Sequence, residues 1–167
     1  MKKPSLLKHF RDILILPFTV TVILPYLLYN SQQGQQFNNI IFKVLGALFG
    51  VGGLVLFIYT VFLFRTIGKG TLAPWWSPTQ KLIIKGPYKY CRNPMITGVF
   101  FILLGETFFF HSFNLLNLAL FFFVINTVYF IWKEEPDLYK RFGKDYLDYK
   151  ENVPRWIPKL HPYTGNN

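Results

Sequence analysis

Two short stretches of this 167-residue chain carry the side chains best suited to chemistry. The first is "GPYKYCRNPMITG", Gly86 to Gly98, with Lys85 just before it. Lys85, Tyr88, Lys89, Tyr90 and Arg92 crowd beside Asn93-Pro94, which reads as a helix start: Asn is a good N-cap and Pro is favoured at the first helical position. A helix amino end offers unpaired N–H groups and a partial positive charge, so with these neighbours it suits an anionic ligand group. The second stretch is "KEEPDLYKRFGKDYLDYKENVPRWIP", which opens on Glu134 and Glu135. Cations normally suit a helix carboxyl end, so two acids there call for a positively charged partner. The plainer readings are a loop that ends in a helix start, and a solvated acidic pair.

The elements that must position these groups are apolar. Half of the residues are apolar and a fifth aromatic, and mean hydropathy is positive. This points to a membrane protein. A hydrocarbon core of roughly 30 Å needs about 20 helical residues. Four stretches come near that length: residues 13–29, 40–64, 94–113 and 115–132. The last two, about four residues apart, predict an antiparallel hairpin. Gly46 and Gly50 have the spacing that lets helices approach closely. Leu138, Phe142, Tyr146, Tyr149 and Val153 recur at helical spacing and predict a C-terminal amphipathic helix. Pro136 is expected to kink or end the fourth helix near Glu134. The fold class expected is all-α integral membrane, with about four transmembrane helices plus that cytoplasmic helix, in one domain.

The net charge of +10 invites a nucleic-acid reading, but its placement argues against one. Seventeen of the 18 Lys and Arg precede the first stretch, lie between Arg65 and Arg92, or follow the fourth; Lys43 is the exception. Alternating basic and neutral connections follow the positive-inside tendency, which puts both termini and the 65–93 connection in the cytoplasm. The basic excess also attracts anionic headgroups. The amino end resembles a signal peptide, but "LLYNSQQ" lacks the small-residue cleavage pattern, so the first helix is read as retained. Cys91 is the single cysteine, and His9, His111 and His161 have no metal-ligand spacing, so no metal centre is expected.

The connection from Arg65 to Asn93 is long enough to suggest function. Its "GKGT" lacks the earlier glycine of a phosphate-binding loop, where Leu63 stands. Trp75 and Trp76 fit either interfacial anchoring or binding. Glu106, deep in the third stretch, fits either a cavity lining or a neutral hydrogen-bonded residue.

Together the two stretches resemble the isoprenylcysteine carboxyl methyltransferase family of integral membrane enzymes, over roughly Gly68 to Pro158. The family pattern G-x-Y-x-y-x-R-H-P-x-Y-x-G is met by "GPYKYCRNPMITG", with Asn93 in place of His and Ile96 in place of Tyr. "EEPDL", "FGKDYLDY" and "VPRWIP" meet the later motifs. The resemblance implies S-adenosylmethionine as cofactor and no metal. It implies cofactor contacts at the strip Gln80, Lys81, Leu82 and Ile83, at Tyr88, at Asn93, Pro94, Met95 and Ile96, and at Glu134. The chemistry accommodates this. Helix amides with Arg92 suit the cofactor carboxylate, Glu134 or Glu135 its ammonium or diol, and tyrosine faces its sulfonium. Arg155 is a candidate to hold an acceptor carboxylate. The acceptor expected is a lipophilic or lipidated molecule from the bilayer, carboxyl-methylated because a carboxylate needs no base.

A phospholipid or other amine N-methyltransferase is the alternative, with Glu135 as the candidate base. An NADPH-dependent sterol reductase shares the C-terminal pattern but suits a longer chain. A membrane protease would need an arginine spaced differently from the acid pair, and a scaffold would need no such convergence of charge.

Overall fold

The computed structural model describes residues 14–30, 39–68 and 81–165, and every regular element among them is helical. In lipid a backbone must satisfy its own polar groups, and helices do so locally. Helix α1 covers residues 14–30. It is wound as a π-helix over Leu14–Ile23 and as an α-helix over Leu24–Asn30. Pro17 lies within the wider part, where its missing N–H removes a bond from the regular ladder. Helix α2, Ile40–Gly68, starts at Asn39, whose side chain accepts from the Ile41 N–H at 2.9 Å. Helix α3 is Pro94–Phe110, α4 is Phe113–Phe142 and α5 is Lys144–Asn152.

Helices α2 and α4 are long and apolar enough to cross a membrane, and α3 is a shorter apolar helix. Of the four spans expected, these two meet the length criterion among the described residues. Leu48 and Val55 on α2, and Phe121 and Val124 on α4, are all more than half exposed, which suits lipid contact.

Glycines set the α2–α3 contact. A Cβ on Gly46 would lie 2.7 Å from the Gly105 carbonyl oxygen, and one on Gly53 would lie 2.6 Å from that of Gly98. The reciprocal positions Gly98 and Gly105 are equally closed, so the two backbones touch. The expected pair Gly46/Gly50 is half right. A Cβ on Gly50 would meet nothing within 4 Å, because it is the Gly50 backbone that Gly105 abuts.

Helices α3 and α4 form the expected hairpin, with a tighter joint than expected. It uses His111 in the left-handed region (φ 53°) and Ser112, whose hydroxyl accepts from the Leu115 N–H at 3.4 Å. Helix α1 packs alongside, with the Tyr29 and Phe110 ring centres 5.0 Å apart.

Two expectations at the polar end are corrected. Of the two outcomes expected at Pro136, a kink or an end, the end does not occur: α4 continues past it. A π-helical turn over Phe130–Glu134 precedes the proline, with the Glu135 N–H donating to the Phe130 carbonyl, and the helix runs on to Phe142. The amphipathic run is two elements, because Gly143 breaks it at φ 56°. Its apolar stripe is not left for the bilayer: Tyr146, Tyr149 and Val153 are buried against Leu82, Ile84 and Leu138.

Candidate active site

The polar end is a cap built from residues 81–93, the end of α4, α5 and the strap that follows α5. Backbone bonds fasten the strap to the first stretch. The Arg92 N–H donates to the Pro154 carbonyl at 2.9 Å, and the Lys159 N–H to the Tyr90 carbonyl at 3.1 Å. The Tyr149 hydroxyl donates to the Tyr88 carbonyl at 2.6 Å. Cys91 is sealed beneath the strap, its thiol facing the Arg155 and Trp156 carbonyls at 3.2 and 3.3 Å. Burial pushes that thiol's pKa up, and it pushes up the Tyr88 hydroxyl too.

Glu135 is the hub of the cap. Its Oε1 receives Arg92 Nη1 at 2.8 Å and Arg155 Nε at 2.7 Å, and its Oε2 receives Lys150 Nζ at 3.0 Å. The Glu135 and Arg92 side chains are only 5% and 9% exposed. Arg92 also donates to the Val153 carbonyl through Nε at 2.9 Å and to the Tyr146 hydroxyl at 3.2 Å. The positive partner expected for the acid pair is therefore present for Glu135, in triplicate. Glu134 is met by the Tyr129 hydroxyl, at 3.5 Å, and lies in the field of Arg141 and Lys133.

A cavity of about 450 Å³ lies between this cap and the helices. Of the expected site residues, Lys81, Leu82, Ile83, Tyr88, Arg92, Asn93, Met95, Ile96, Glu134 and Glu135 line it. Pro94 is buried at the start of α3. Arg155 stands behind Glu135, and Gln80 lies outside the described residues, as do Trp75, Trp76 and Lys69 to Thr71 of "GKGT". Glu106 is not on the cavity wall; its Oε2 is buried with no hydrogen-bond partner among the described residues.

Asn93 occupies the N-cap position, but its side chain makes no cap bond. Among the described residues the carboxamide has no hydrogen-bond partner, and Asn93 lines the cavity. The first backbone bond of α3 runs from the Thr97 N–H to the Asn93 carbonyl, so the amides of Met95 and Ile96 lie before the ladder begins.

Part of the wall has no marker in the sequence. Tyr146 was assigned only to an apolar stripe, although it bonds Arg92. Tyr129, Asn126 and Phe122 come from α4, and Pro17 and Val20 from α1. No spacing rule marks these; Tyr146 alone had a signal, in "FGKDYLDY".

The sequence model of the phospholipid methyltransferase family matches residues 41–145. The chain belongs to that family. No curated protein and no solved structure gives a match. Phospholipid methyltransferases share a superfamily with the isoprenylcysteine enzymes, so the resemblance holds at that coarser level. As a member of this family the chain is a membrane methyltransferase, and S-adenosylmethionine is its methyl donor.

The cavity's donor set fits that molecule. The amides at the start of α3, the free Asn93 carboxamide and Lys81 suit a carboxylate. Tyr88 and Tyr146 line the cavity as aromatic groups of the kind that suits a cation, and Ile83, Ile96 and Val99 add apolar wall. When bound, the cofactor supplies a methyl group on a positively charged sulfur. The protein's part is to hold the partners in line and keep the site dry.

Proposed function

We propose that this chain is a multi-pass enzyme of four spans, its cavity on the cytoplasmic side, which methylates the amine of a phospholipid headgroup. The alternation of basic and neutral connections supports that orientation. So does the packing. Helix α1 runs alongside α3, α2 lies antiparallel to α3 through the glycine contacts, and α4 returns through the hairpin, so each helix reverses the one before.

The observation that carries the amine reading is the unequal state of the two acids. Glu135, the base candidate from sequence, is spent on three cations. Glu134 faces the cavity beside Tyr129. A carboxylate there repels an anionic acceptor and attracts a protonated amine. An amine attacks only when neutral, so it must shed a proton, and Glu134 is placed to take it. The amine nitrogen gains the methyl group through its lone pair, and the sulfur keeps the electrons of the broken carbon–sulfur bond.

Carboxyl methylation of an isoprenylcysteine-like acceptor is the second reading. What favours it is the strap "VPRWIP", which lies beyond the matched residues and yet is bound to Arg92. The two readings part in alkali. A methyl ester releases labelled methanol under mild base, whereas methyl on nitrogen stays fixed. The expected result is alkali-stable label in a lipid headgroup. Label lost as methanol would replace this reading with the second.

A further inference from the structure

The apolar stripe of α5 is buried, yet the strap that follows α5 carries the most exposed large apolar side chains among the described residues. Ile157 is 81% exposed and Leu160 is 91% exposed, with Pro158 exposed between them. Scattered apolar side chains in water are ordinary, whereas neighbouring ones mark a contact surface. The strap lies beyond the residues matched by the family model.

The fastening of the strap says what covers it. The Arg92 N–H donates to the Pro154 carbonyl, and the Lys159 N–H donates to the Tyr90 carbonyl, so residues 154–159 are tied at both ends just before α3 begins. Between these ties the chain reaches toward the bundle. The Trp156 ring packs on Phe123 and Phe130 of α4, with ring centres 5.1 and 5.7 Å apart. The Phe123 ring in turn packs on Phe100 of α3 at 5.1 Å. A span of about 20 residues that starts at Phe113 ends near Trp132. Phe123 and Phe130 both lie before that point, so Trp156 is docked on the membrane-crossing part of α4, and Ile157 follows it at once. Trp132 is itself 80% exposed and is followed by Lys133, an aromatic and a cation of the kind found at membrane interfaces. Ile40 and Phe113, the first residues of α2 and α4, are also highly exposed. High apolar exposure thus falls at the ends of spans, where lipid meets water, and on the strap.

We propose that the strap dips into the leaflet on the side of the cap, with Ile157 and Leu160 seated at the boundary between headgroups and acyl chains. Their surface continues the lipid face of α4, so the partner it fits is the bilayer. This rests on α4 crossing the membrane, as in the four-span reading above. The one cation between Ile157 and Leu160 is turned back toward α5: Lys159 Nζ donates to the Asn152 carbonyl at 2.8 Å. The contact reaches the site as well. The same strap carries Arg155, which binds Glu135, and the Pro154 carbonyl, which binds the Arg92 N–H. Lipid that takes up Ile157 and Leu160 keeps the strap closed over Cys91 and keeps both contacts in place.

The test reads depth at single positions in phospholipid nanodiscs. The variants Ile157→Cys, Leu160→Cys, Lys144→Cys and Val124→Cys, each with Cys91→Ala, carry an environment-sensitive fluorophore. Lys144 is exposed at the start of α5, past the end of α4, and Val124 is on the lipid face of α4. The labels at 157 and 160 should emit to the blue of the label at 144. They should lose intensity to a lipid with a nitroxide near the top of its acyl chain, and be shielded from iodide. The label at 144 should do the reverse, and the label at 124 should respond to a nitroxide deep in the chain. A second measurement needs no variant. A phospholipid with a diazirine high on one acyl chain, irradiated with the unaltered protein, should leave its adduct on peptides covering residues 156–160. Iodide quenching at 157 and 160 as strong as at 144, or no adduct on the strap, would overturn the proposal while the label at 124 upholds the span. Shielding at 157 and 160 from both iodide and nitroxide lipid would overturn it too, by giving the surface to another protein or a second copy of this chain. If the label at 124 were open to iodide, α4 would not cross the membrane, and the span reading would fall together with the strap.

Discussion

The bundle and the cap are held together by opposite means. Between α2 and α3 the contact is set by backbone meeting backbone. Gly46, Gly53, Gly98 and Gly105 remove side chains so that backbones meet, and dispersion does the rest. In the cap, one carboxylate gathers three cations, and backbone bonds join residues some 60 positions apart, such as Arg92 and Pro154. At the seam, Gly46, Gly53, Gly98 and Gly105 have no room for an added Cβ. The cap is built around the ion pairs of Glu135. Chemistry is placed in the second kind of structure, because charges fix where a polar ligand sits, while the bundle supplies the apolar wall.

The comparison breaks most plainly at Glu135. Glu135→Gln keeps the shape and leaves three cations without their shared counter-charge. Removing one partner of a buried pair costs about 3–5 kcal/mol. The variant should unfold at clearly lower temperature in detergent, and the loss should shrink on adding an anion such as sulfate. A variant as stable as the parent would show that the cap does not depend on this hub.

The seam comes next. Gly105→Ala would place a Cβ 2.5 Å from the Gly50 nitrogen, and forcing atoms into a packed contact costs about 1–3 kcal/mol. Gly50→Ala has open space and replaces glycine inside a helix, which is worth roughly 0.5–1 kcal/mol in its favour. Thermal unfolding of the pair should therefore move in opposite directions. Equal shifts would mean that the seam is looser than these distances state.

The smallest effect is at Asn93. An N-cap that bonds its helix loses about 1 kcal/mol on change to Ala. Asn93 makes no such bond, so Asn93→Ala should leave stability within a few tenths of that unit and weaken S-adenosylhomocysteine binding instead. A full capping loss with unaltered binding would return the residue to a structural role.

This contrast also explains what could be read from the sequence. Helices α2, α3 and α4 were legible because apolar runs and their limits are local signals. The acid pair and the Arg92 cluster were legible as charge out of place. Their partners were not. Lys150 looked like the solvated side of an amphipathic helix, and Tyr146 like its apolar side, because nothing local says that the strip at Leu82 and Ile84 would cover that face. The break at Gly143 and the π-helical turn before Pro136 were missed for a related reason. A proline or glycine marks a disturbance, and the packing around it decides whether the helix bends, widens or stops. Among the site residues, Arg155 shows the limit best: its place beside Glu135 depends on a strap fastened through backbone atoms, which carry no sequence signal.

The run of α4 from Phe113 to Phe142 has a mechanical meaning. One helix begins at the hairpin far from the cavity, passes along the lipid, and ends inside the cap, carrying Glu134 and Glu135 near its lower third. Bilayer thickness sets the tilt that such a helix adopts. A change of tilt is then transmitted along the rod to the two acids with no joint except the widened turn at Phe130–Glu134. On the proposed function, the geometry of the candidate site is in this way coupled to the thickness of the membrane that supplies the acceptor.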